Sequence, residues 1–419
     1  MKLLVVVPSF PSLNQPWIDT YLESLLREGI QFRILSGHAR PQSYHKKVDR
    51  LNLRDRVLLY STKPREWIPS FLRFLITNPA HSSRDLAFAW TDTRILGGRL
   101  RSRIRRTMWS AYISGLIDRA GTFDLAHVHF EDTSLAFSTV FRGLGIALVT
   151  TFHGQPPKGI PQLNPEEQRI LYSRVHGVFV NTERARSFLK QSGCPTKIMR
   201  LVPQGLPLED FPFLPPSTLH KNDPVRILSV GRFHRDKGHA YSILSARRLK
   251  KANVNFKWIF VGTGPTNEVD RLKRLMIRLG LEDFVEFVYG AELETLVQLY
   301  RESHLLVLAS IDQGKDRLTE TQGVVVQEAQ ASGCIPIVTR VGGVPECVRD
   351  GIDAIVVRPG SSRAISDAVL GLLDRAVDWP QMMAAGRKNV ESRFSAVAIG
   401  KEMARHLRAF AEGGTHSGQ

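Results

Sequence analysis

The sequence predicts an α/β protein in which two doubly wound, Rossmann-like domains of similar size face each other across a cleft. The chain has 419 residues, which is too long for a single hydrophobic core. Short apolar runs alternate with longer helical stretches in both halves, as in parallel sheets connected by crossover helices. A polar segment bounded by prolines, residues 215–224, separates the halves and is typical of a domain linker.

Each half contains six candidate strands. Those of the first domain, residues 1–214, are 3–7, 32–36, 57–60, 125–129, 147–151 and 178–181. Those of the second domain, residues 225–380, are 226–230, 258–261, 285–288, 305–309, 335–339 and 354–357. A helical pattern resumes over residues 381–419, and we expect these C-terminal helices to return toward the first domain. Ligands of such folds bind outside the carboxyl ends of the strands, which places the expected site in the cleft.

Composition limits the partners and the compartment. The chain carries 57 Lys and Arg against 40 acidic residues, a net charge of +17, which suits polyanionic partners. No helix-turn-helix, zinc-finger or aromatic-basic RNA signature is present, so we expect no nucleic-acid partner. No run of 18 apolar residues occurs, and the three cysteines have no metal-ligand or disulfide spacing. These features favour a cytoplasmic protein with buried, unreactive thiols.

Residues 64–119 interrupt the alternation of strands and helices. This segment holds no clear strand, and it contains ten arginines against four acidic residues. It also contains an amphipathic stretch, residues 67–76, whose large apolar residues include Trp67, Phe71, Phe74 and Leu75. One interpretation is a peripheral contact with an anionic membrane, in which these residues enter the headgroup region and arginines 99–106 meet anionic lipid. The other interpretation is a solvated pair of helices that covers the sheet.

Residues 319–333 carry the densest chemical signal. Three consecutive valines favour a strand by propensity, but residues 327–330 favour a helix and Gly333 is a good helix stop. We therefore predict a loop through Gln322 and a helix from about Gly323, with Glu320 at its mouth and Glu328 about one turn in. Free amides at the helix start could bind an anion or hydroxyl groups. The alternative is a structural helix end with a solvated glutamate.

A basic turn, residues 230–239, follows the first strand of the second domain. Arg232 and Lys237 lie where phosphates would be bound, and Gly231 and Gly238 would let the backbone come close to those phosphates. The alternative is an ordinary basic turn on a basic protein. A second glycine turn, residues 261–265, lacks the third glycine and the acidic partner of a dinucleotide fingerprint, which argues against a nicotinamide enzyme.

Taken together, these segments resemble the retaining glycosyltransferases of family 4, which have the two-domain GT-B architecture. The resemblance extends over nearly the whole chain and is strongest over residues 225–360. It includes a downstream loop, residues 339–346, and residues 286–290, whose neighbouring backbone reads the base in that family. The N-terminal segment, residues 8–17, departs from the common Gly-Gly loop and is more similar to the exopolysaccharide, colanic-acid-type branch.

The resemblance implies a role for each residue of the donor site. Glu320 would contact the transferred sugar, and Glu328 would bind the ribose hydroxyls. Arg232 and Lys237 would hold the diphosphate. The backbone amides of three residues would hold sugar hydroxyls, namely Gly323, Val324 and Val325.

In the first domain the resemblance extends to residues 123–130 and 150–154. It implies that His153, at the end of a strand, approaches the transferred sugar, where an imidazole could hydrogen-bond a hydroxyl group or share developing charge. His129 could line the same cleft or be a buried, satisfied histidine.

The implied activity is transfer of a hexose-type sugar from a nucleoside diphosphate to a saccharide or lipid-linked saccharide, with retention and without a metal or cofactor. No Asp-X-Asp motif occurs, so charge on the leaving diphosphate would be neutralised by the basic turn and helix dipoles. An epimerase or a phosphorylase of the same architecture is an alternative, although a phosphorylase should be far longer. A catalytically inactive scaffold that binds a sugar nucleotide or a membrane complex is the alternative from another class.

Overall fold

Thirteen strands form two parallel sheets in the part of the chain that the structure describes. The computed structural model describes residues 1–12, 15–38, 46–77, 79–97, 99–155, 162–216, 223–311, 314, 317–318 and 320–414. The strands are β1 (Lys2–Val7), β2 (Gln31–Ser36), β3 (Val57–Leu59), β4 (Leu125–His129), β5 (Ala147–Thr151), β6 (Gly177–Val180), β7 (Met199–Leu201), β8 (Val225–Val230), β9 (Phe256–Gly262), β10 (Val285–Tyr289), β11 (Leu305–Leu308), β12 (Ile335–Thr339) and β13 (Ile355–Val357).

Helices connect the strands and cover both sheets. They are α1 (Pro16–Arg27), α2 (Lys46–Arg50), α3 (Pro64–Thr77), α4 (Pro79–Thr93), α5 (Leu100–Ala120), α6 (Glu131–Leu144), α7 (Pro165–Arg174), α8 (Glu183–Gln191), α9 (His239–Lys251), α10 (Thr266–Arg278), α11 (Leu293–Glu302), α12 (Val324–Ser332), α13 (Ser362–Leu373), α14 (Trp379–Arg393) and α15 (Ala396–Gly414). None of the described helices combines the length and apolar character needed to cross a membrane.

The strand order confirms the predicted doubly wound fold. The first sheet runs β3-β2-β1-β4-β5-β6-β7 and the second runs β10-β9-β8-β11-β12-β13, and neighbouring strands within each sheet are parallel. Each predicted strand is present, and the sequence interpretation missed only the short β7. In both sheets the order reverses beside the first strand, between β1 and β4 and between β8 and β11. The carboxyl ends of these strands frame a crevice at each reversal, where ligands of such folds bind.

The hydrophobic core explains why the central strands read as continuous apolar runs. In β1, residues Leu3 to Val7 are fully buried because helices cover both faces of the sheet. Two of the apolar clusters lie on the faces of the first sheet and two lie on those of the second. All three cysteines are buried and unpaired, as predicted.

The chain crosses between the two halves twice. Leu206 and Phe211 pack against Tyr300 in the core of the second half, before the predicted linker begins. Of that linker, residues 217–222 lie outside the described residues. At the C-terminus, α15 returns to the first half, where Leu407 is fully buried beside α1 and the Phe410 ring meets Phe179 edge-on at 6.0 Å.

The arginine-rich segment forms three helices, α3, α4 and α5, which pack on one face of the first sheet. The expectation that Trp67 and Phe71 enter lipid is wrong, because these residues are 1% and 2% exposed in the core. Leu75 is partly buried against the same core, and the side chain of Phe74 lies outside the described residues. The sequence correctly predicts that this segment is helical and amphipathic. Its apolar face packs against the sheet rather than facing solvent.

Candidate functional site

A cavity of about 650 Å³ opens between the two domains at the carboxyl ends of both sheets. From the second domain it is lined by Gly231, Arg232, Lys237, Glu320, Gly323, Val324 and Val325 among others. From the first domain it is lined by His153, Trp17, Glu131 and several glutamines. Glu328, Gly238 and His129 do not line this cavity, whereas the other residues predicted for the site do.

Glu320 and Lys237 form an ion pair in the wall of the cavity. Lys237 Nζ lies 2.6 Å from Glu320 Oε2, and the Ser310 hydroxyl donates to the same oxygen at 2.9 Å. The Lys237 side chain is 15% exposed and the Glu320 side chain is 11% exposed. Sequence reasoning assigned one residue to the sugar and the other to the diphosphate, but it did not predict their contact. A ligand that binds here must meet the two charges together.

Arg232 extends into the cleft with half of its side chain exposed. The Asp236 carboxylate lies 3.8 Å from the Arg232 guanidinium and is itself paired with His234. The turn from Arg235 to Lys237 is a short 3-10 helix capped by the His234 side chain. The guanidinium is therefore held near the cavity by a rigid turn while its donors remain available to an incoming anion.

Gly238 fixes the position of this turn. Its φ of +65° is left-handed, and a Cβ atom there would lie 1.9 Å from the Ala309 carbonyl oxygen at the end of β11. The basic turn therefore packs directly on the segment that carries Ser310. The close approach that Gly238 permits is to the Ala309 backbone, whereas the sequence predicts an approach of the backbone to a phosphate.

The start of α12 points its free amides at the cavity. Gly323, with a φ of +72°, is the N-cap, and the Val326 amide donates to its carbonyl at 2.9 Å. The amides of Val324 and Val325 therefore precede the first intrahelical hydrogen bond and lack helical acceptors. Such amides and the positive end of the helix dipole favour an anion or hydroxyl oxygens. The predicted helix start is confirmed to within one residue.

Two glycines behind the site hold the Glu320 backbone. The Gly343 amide donates to the Glu320 carbonyl at 3.1 Å, and a Cβ on Gly342 would lie 1.8 Å from that same oxygen. Thr182 of the first domain donates to the adjacent Thr321 carbonyl at 3.0 Å. The 339–346 loop therefore positions Glu320 through backbone contacts.

Glu328 lies beside the cavity rather than in its wall. The residue is 8% exposed, and its carboxyl accepts a hydrogen bond from the Tyr300 hydroxyl at 2.7 Å. Burial raises the pKa of Glu328 to about 7, although the hydrogen bond from Tyr300 lowers it. The spacing of eight residues between Glu320 and Glu328 predicts a second carboxylate near the start of α12. In the structure the Glu328 carboxyl points toward Tyr300 of α11.

His153 lies on the opposite wall, in a stack of aromatic rings. Its Nε2 is 3.0 Å from His129 Nδ1, and its Nδ1 is 3.3 Å from Gln204 Nε2. The Trp17 indole lies against it with ring centroids 4.0 Å apart and the ring planes tilted by 33°. Burial, followed by the neighbouring His129, holds the pKa of His153 well below its usual value. The imidazole is therefore neutral at physiological pH.

His129 occupies the layer behind His153. It is 2% exposed, does not line the cavity, and burial lowers its pKa to about 3. Its Nε2 has no hydrogen-bond partner among the described residues. Of the two expectations for this histidine, burial is correct, but within the described residues the ring is hydrogen-bonded at Nδ1 only. Its contact with Nε2 of His153 orients the ring that reaches the cavity.

Sequence reasoning missed the carboxylates of the first domain. Glu131 and Asp132 follow β4 directly and line the cavity. The Tyr172 hydroxyl donates to Glu131 at 2.7 Å, and burial raises the pKa of this carboxyl to about 7. The preceding Phe130 has a φ of +76°, which is rare for a residue with a side chain. Both carboxylates follow the carboxyl end of β4, next to the point where the strand order reverses, and this position could have identified them as site residues.

Direct contacts hold the two walls together. The Gln204 backbone amide donates to Gln322 Oε1 at 2.7 Å, and Gln322 Nε2 donates to the Gln204 carbonyl at 3.0 Å. The Glu346 carboxylate accepts the first amides of α8, from Glu183 at 2.8 Å and from Arg184 at 2.7 Å. Among the described residues, no group of three or more His, Cys, Asp or Glu side chains is placed to hold a metal ion.

Comparison with known proteins places both halves in described families. Residues 17–210 match the model of Glycosyltransferase Family 4, and residues 210–389 match that of Glycosyl transferases group 1. The chain is 28% identical to WcaL of Escherichia coli (strain K12), named as a colanic acid biosynthesis glycosyltransferase, over 98% of this chain and 100% of that one. It is 26% identical to the amylovoran biosynthesis glycosyltransferase AmsK of Erwinia amylovora, over 63% of this chain and 64% of that one.

Solved structures share the fold. The structure of Anabaena HepE in complex with UDP-glucose superposes with a TM-score of 0.73 at 16% identity, over 98% of this chain and 100% of that chain. Sucrose-phosphate synthase from Thermosynechococcus elongatus superposes with a TM-score of 0.74 at 17% identity, over 99% and 100%. At these identities the likeness concerns the architecture of the two domains.

Proposed function

Since the chain belongs to the family 4, group 1 glycosyltransferases of the exopolysaccharide branch, we propose that it transfers a hexose-type sugar from a nucleoside diphosphate to a saccharide, with retention and without a metal. The observation that carries this proposal is the Lys237–Glu320 pair beside Arg232 and the free amides of α12, in a cleft between two nucleotide-binding folds. Cations, a carboxylate and amides within one wall suit a sugar diphosphate.

The donor diphosphate would bind Arg232 and Lys237, near the positive end of the α12 dipole. As the bond to the sugar breaks, negative charge grows on the leaving diphosphate, and these donors stabilise it without a metal. Glu320, released from part of its contact with Lys237, would accept hydrogen bonds from the sugar hydroxyls. The amides of Gly323, Val324 and Val325 would bind the remaining hydroxyls. The assignment of the ribose to Glu328 rests on the family resemblance.

The acceptor would approach from the first-domain wall. Neutral His153 is suited to hydrogen-bonding the transferred sugar. Both ring nitrogens already have partners, so a sugar hydroxyl must replace either Gln204 at Nδ1 or His129 at Nε2. Glutamines of this wall offer both donors and acceptors to hydroxyl groups. They are Gln15, Gln155, Gln162, Gln168 and Gln204.

Donor identity can be tested by a thermal-shift panel of UDP-, GDP- and ADP-sugars, because a ligand that binds only the native state raises its stability. UDP-glucose is the first candidate, since HepE was crystallised with it. Hydrolysis of the bound donor without acceptor would separate an enzyme from an inactive sugar-nucleotide scaffold. An epimerase would instead release a nucleotide-linked sugar of changed configuration.

We expect EDTA to leave the rate of transfer unchanged, because cationic side chains and helix amides are in place to neutralise the diphosphate. We also expect the new linkage to keep the anomeric configuration of the donor, as measured by NMR of the product. An absolute requirement for Mg²⁺ or Mn²⁺, or an inverted linkage, would contradict this part of the proposal.

For a lipid-linked acceptor, we propose a peripheral location at the inner face of the cytoplasmic membrane, with α3–α5 as the contact. With Trp67 and Phe71 in the core, other apolar side chains of these helices are available. Leu72 is 50% exposed, Ile76 81% and Leu100 61%. Each basic residue near an anionic surface contributes about 1 kcal/mol, and salt screens this attraction.

In a flotation assay, we expect the protein to bind anionic vesicles at low salt and to remain unbound with neutral vesicles. Replacement of Arg101, Arg103, Arg105 and Arg106 by Ser should abolish binding, and replacement of four basic residues on α9 and α10 should not. If the wild-type protein stays in the unbound fraction at low salt, the membrane proposal is wrong.

A further inference from the structure

The two domains meet at the start of α8, the helix that follows β6 of the first sheet. The first two amides of this helix, those of Glu183 and Arg184, donate to the carboxylate of Glu346 at 2.8 and 2.7 Å. A carboxylate in this place satisfies amides that have no helical acceptor, and it lies at the positive end of the helix dipole. The N-terminus of a first-domain helix is therefore completed by a side chain of the second domain.

Glu346 is fixed to the second domain through its backbone. The Arg393 guanidinium of α14 donates to the Glu346 carbonyl at 2.7 Å, and the buried Asn389 side chain donates to the next carbonyl, that of Cys347, at 2.9 Å. The Glu346 side chain is exposed and does not line the cleft. Its carboxylate is thus carried by the second domain, and its contact with α8 depends on how the two domains are placed.

A second contact joins the start of α8 to the segment that carries Glu320. The Thr182 hydroxyl caps the helix by accepting the Ala185 amide at 3.3 Å, and it donates to the Thr321 carbonyl of the second domain at 3.0 Å. Thr182 is 4% exposed, so water cannot easily take the place of this donor. The backbone beside Glu320 is therefore held from the first domain as well as from its own domain.

One tightly packed loop connects the two contacts, because Gly343 lies between the Glu320 segment and Thr182. The Gly343 amide donates to the Glu320 carbonyl at 3.1 Å. A Cβ atom on Gly343 would lie 2.0 Å from the Thr321 carbonyl oxygen and 2.4 Å from the Thr182 hydroxyl oxygen. The 3-10 turn that contains Glu346 follows directly. A change in the contact between Glu346 and α8 is therefore transmitted to the Glu320 backbone through a short segment with no free space.

We propose that Glu346 is a positioning residue for sugar transfer, which caps α8 and thereby fixes the domain placement that holds Glu320 at the transferred sugar. Glu346 does not touch the donor and acts through the backbone of Glu320. Arg232 and Lys237 lie on a separate turn, so loss of the cap should displace Glu320 and leave the cations in place for the diphosphate. This inference rests on the proposed function, because it concerns turnover at the same cleft.

Glu346→Gln tests the cap, because the amide keeps one acceptor oxygen but turns an NH2 group toward the other helix amide. We expect kcat for hydrolysis of UDP-glucose without acceptor to fall roughly tenfold, and the affinity for UDP in calorimetry to stay within about twofold. If the thermal-shift panel selects another sugar nucleotide, that donor and its nucleoside diphosphate take their place. Glu391→Gln is the matched control, because Glu391 is exposed on α14 and does not line the cleft.

Two substitutions of Thr182 test the second contact. Thr182→Val removes the hydroxyl with little change of shape and should lower kcat as Glu346→Gln does, whereas Thr182→Ser keeps the hydroxyl and should keep most of the rate. Because both contacts act on the same segment, Glu346→Gln/Thr182→Val should lose less than the product of the two separate losses. A merely structural role would instead lower Tm and the affinity for UDP together with kcat, and that result would overturn the proposal.

Hydrogen exchange measured by mass spectrometry gives a readout that needs no donor. We expect the amides at the start of α8 to exchange faster in Glu346→Gln than in the wild-type and Glu391→Gln proteins, because they lose their acceptor. Unchanged exchange there, or a wild-type kcat in Glu346→Gln, would show that Glu346 has no positioning role. A wild-type protein that neither binds nor hydrolyses a sugar nucleotide would count against the proposed function itself, whereas normal donor hydrolysis in every variant would count against the positioning role alone.

Discussion

Glu320→Gln should reduce transfer by on the order of 100- to 1,000-fold, the range seen when one group that stabilises a transition state is removed. The substitution keeps the shape of the side chain but removes the charge that pairs with Lys237 at 2.6 Å. It also weakens the acceptor for the Ser310 hydroxyl and for the sugar hydroxyls. Lys237 would remain available to the diphosphate, so donor affinity should change much less than turnover.

Initial rates of transfer and donor binding by calorimetry would measure the two effects separately, and circular dichroism would confirm the fold. Glu282→Gln is a suitable control, since Glu282 is an exposed glutamate of the same domain that does not line the cleft. Glu320→Ala should be at least as severe, because it leaves a gap beside the buried Ser310. Turnover near the wild-type value in either variant would exclude Glu320 from the chemistry.

Lys237→Ala and Arg232→Ala should weaken donor binding and transfer together. Each change removes a charge-assisted contact to the diphosphate, which contributes about 1.5–3 kcal/mol, or roughly a 10- to 150-fold change in affinity. Lys237→Ala should have the larger effect. It also leaves the 11% exposed Glu320 carboxylate without its cation, and that charge would then repel the donor phosphates.

Arg235→Ala gives a matched control within the same turn. Its side chain is 76% exposed and does not line the cleft, so donor affinity should stay within twofold of the wild-type value. Affinity for UDP-glucose and for UDP alone, together with kcat/KM, would separate contacts to the sugar from contacts to the diphosphate. If both Arg232→Ala and Lys237→Ala bind and turn over the donor normally, the basic turn is only a solvated surface.

The effect on salt dependence follows from the same charges. Arg232 is half exposed, so its contact with the diphosphate should weaken as ionic strength rises, whereas the more buried Lys237 is screened less. Arg232→Ala should therefore narrow the difference in donor affinity between low and high salt more than Lys237→Ala does.

The sequence by itself determined the doubly wound fold and most of the donor wall. Buried parallel strands read as short apolar runs, and their alternation with helices leaves few other folds. The α12 start could be placed because Gly323 and Gly333 bound a short helix with recognisable ends. The basic turn could be placed because its glycines and cations follow a strand directly. These are local signals, which depend on residues close together in the chain.

Only the tertiary structure decided which side chains meet. Lys237 and Glu320 are far apart in sequence, and their contact depends on the packing of the Gly238 turn against Ala309. The spacing of Glu328 was evident, but its contact with Tyr300 on another helix was not. The contact of His153 with Trp17 likewise joins a residue that follows β5 with a residue of α1, far apart in the sequence.

The arginine-rich helices show the same division. Their composition and helical period are sequence properties, but the direction of the apolar stripe is set by the sheet on which the helices pack. Trp67 and Phe71 are buried there because covering the sheet removes their apolar surface from water. The cavities between α5 and α6, which Asp132 and Arg106 both line, arise from that packing. A one-dimensional pattern records which residues are apolar or charged, whereas the shape of the space between them depends on how the elements pack.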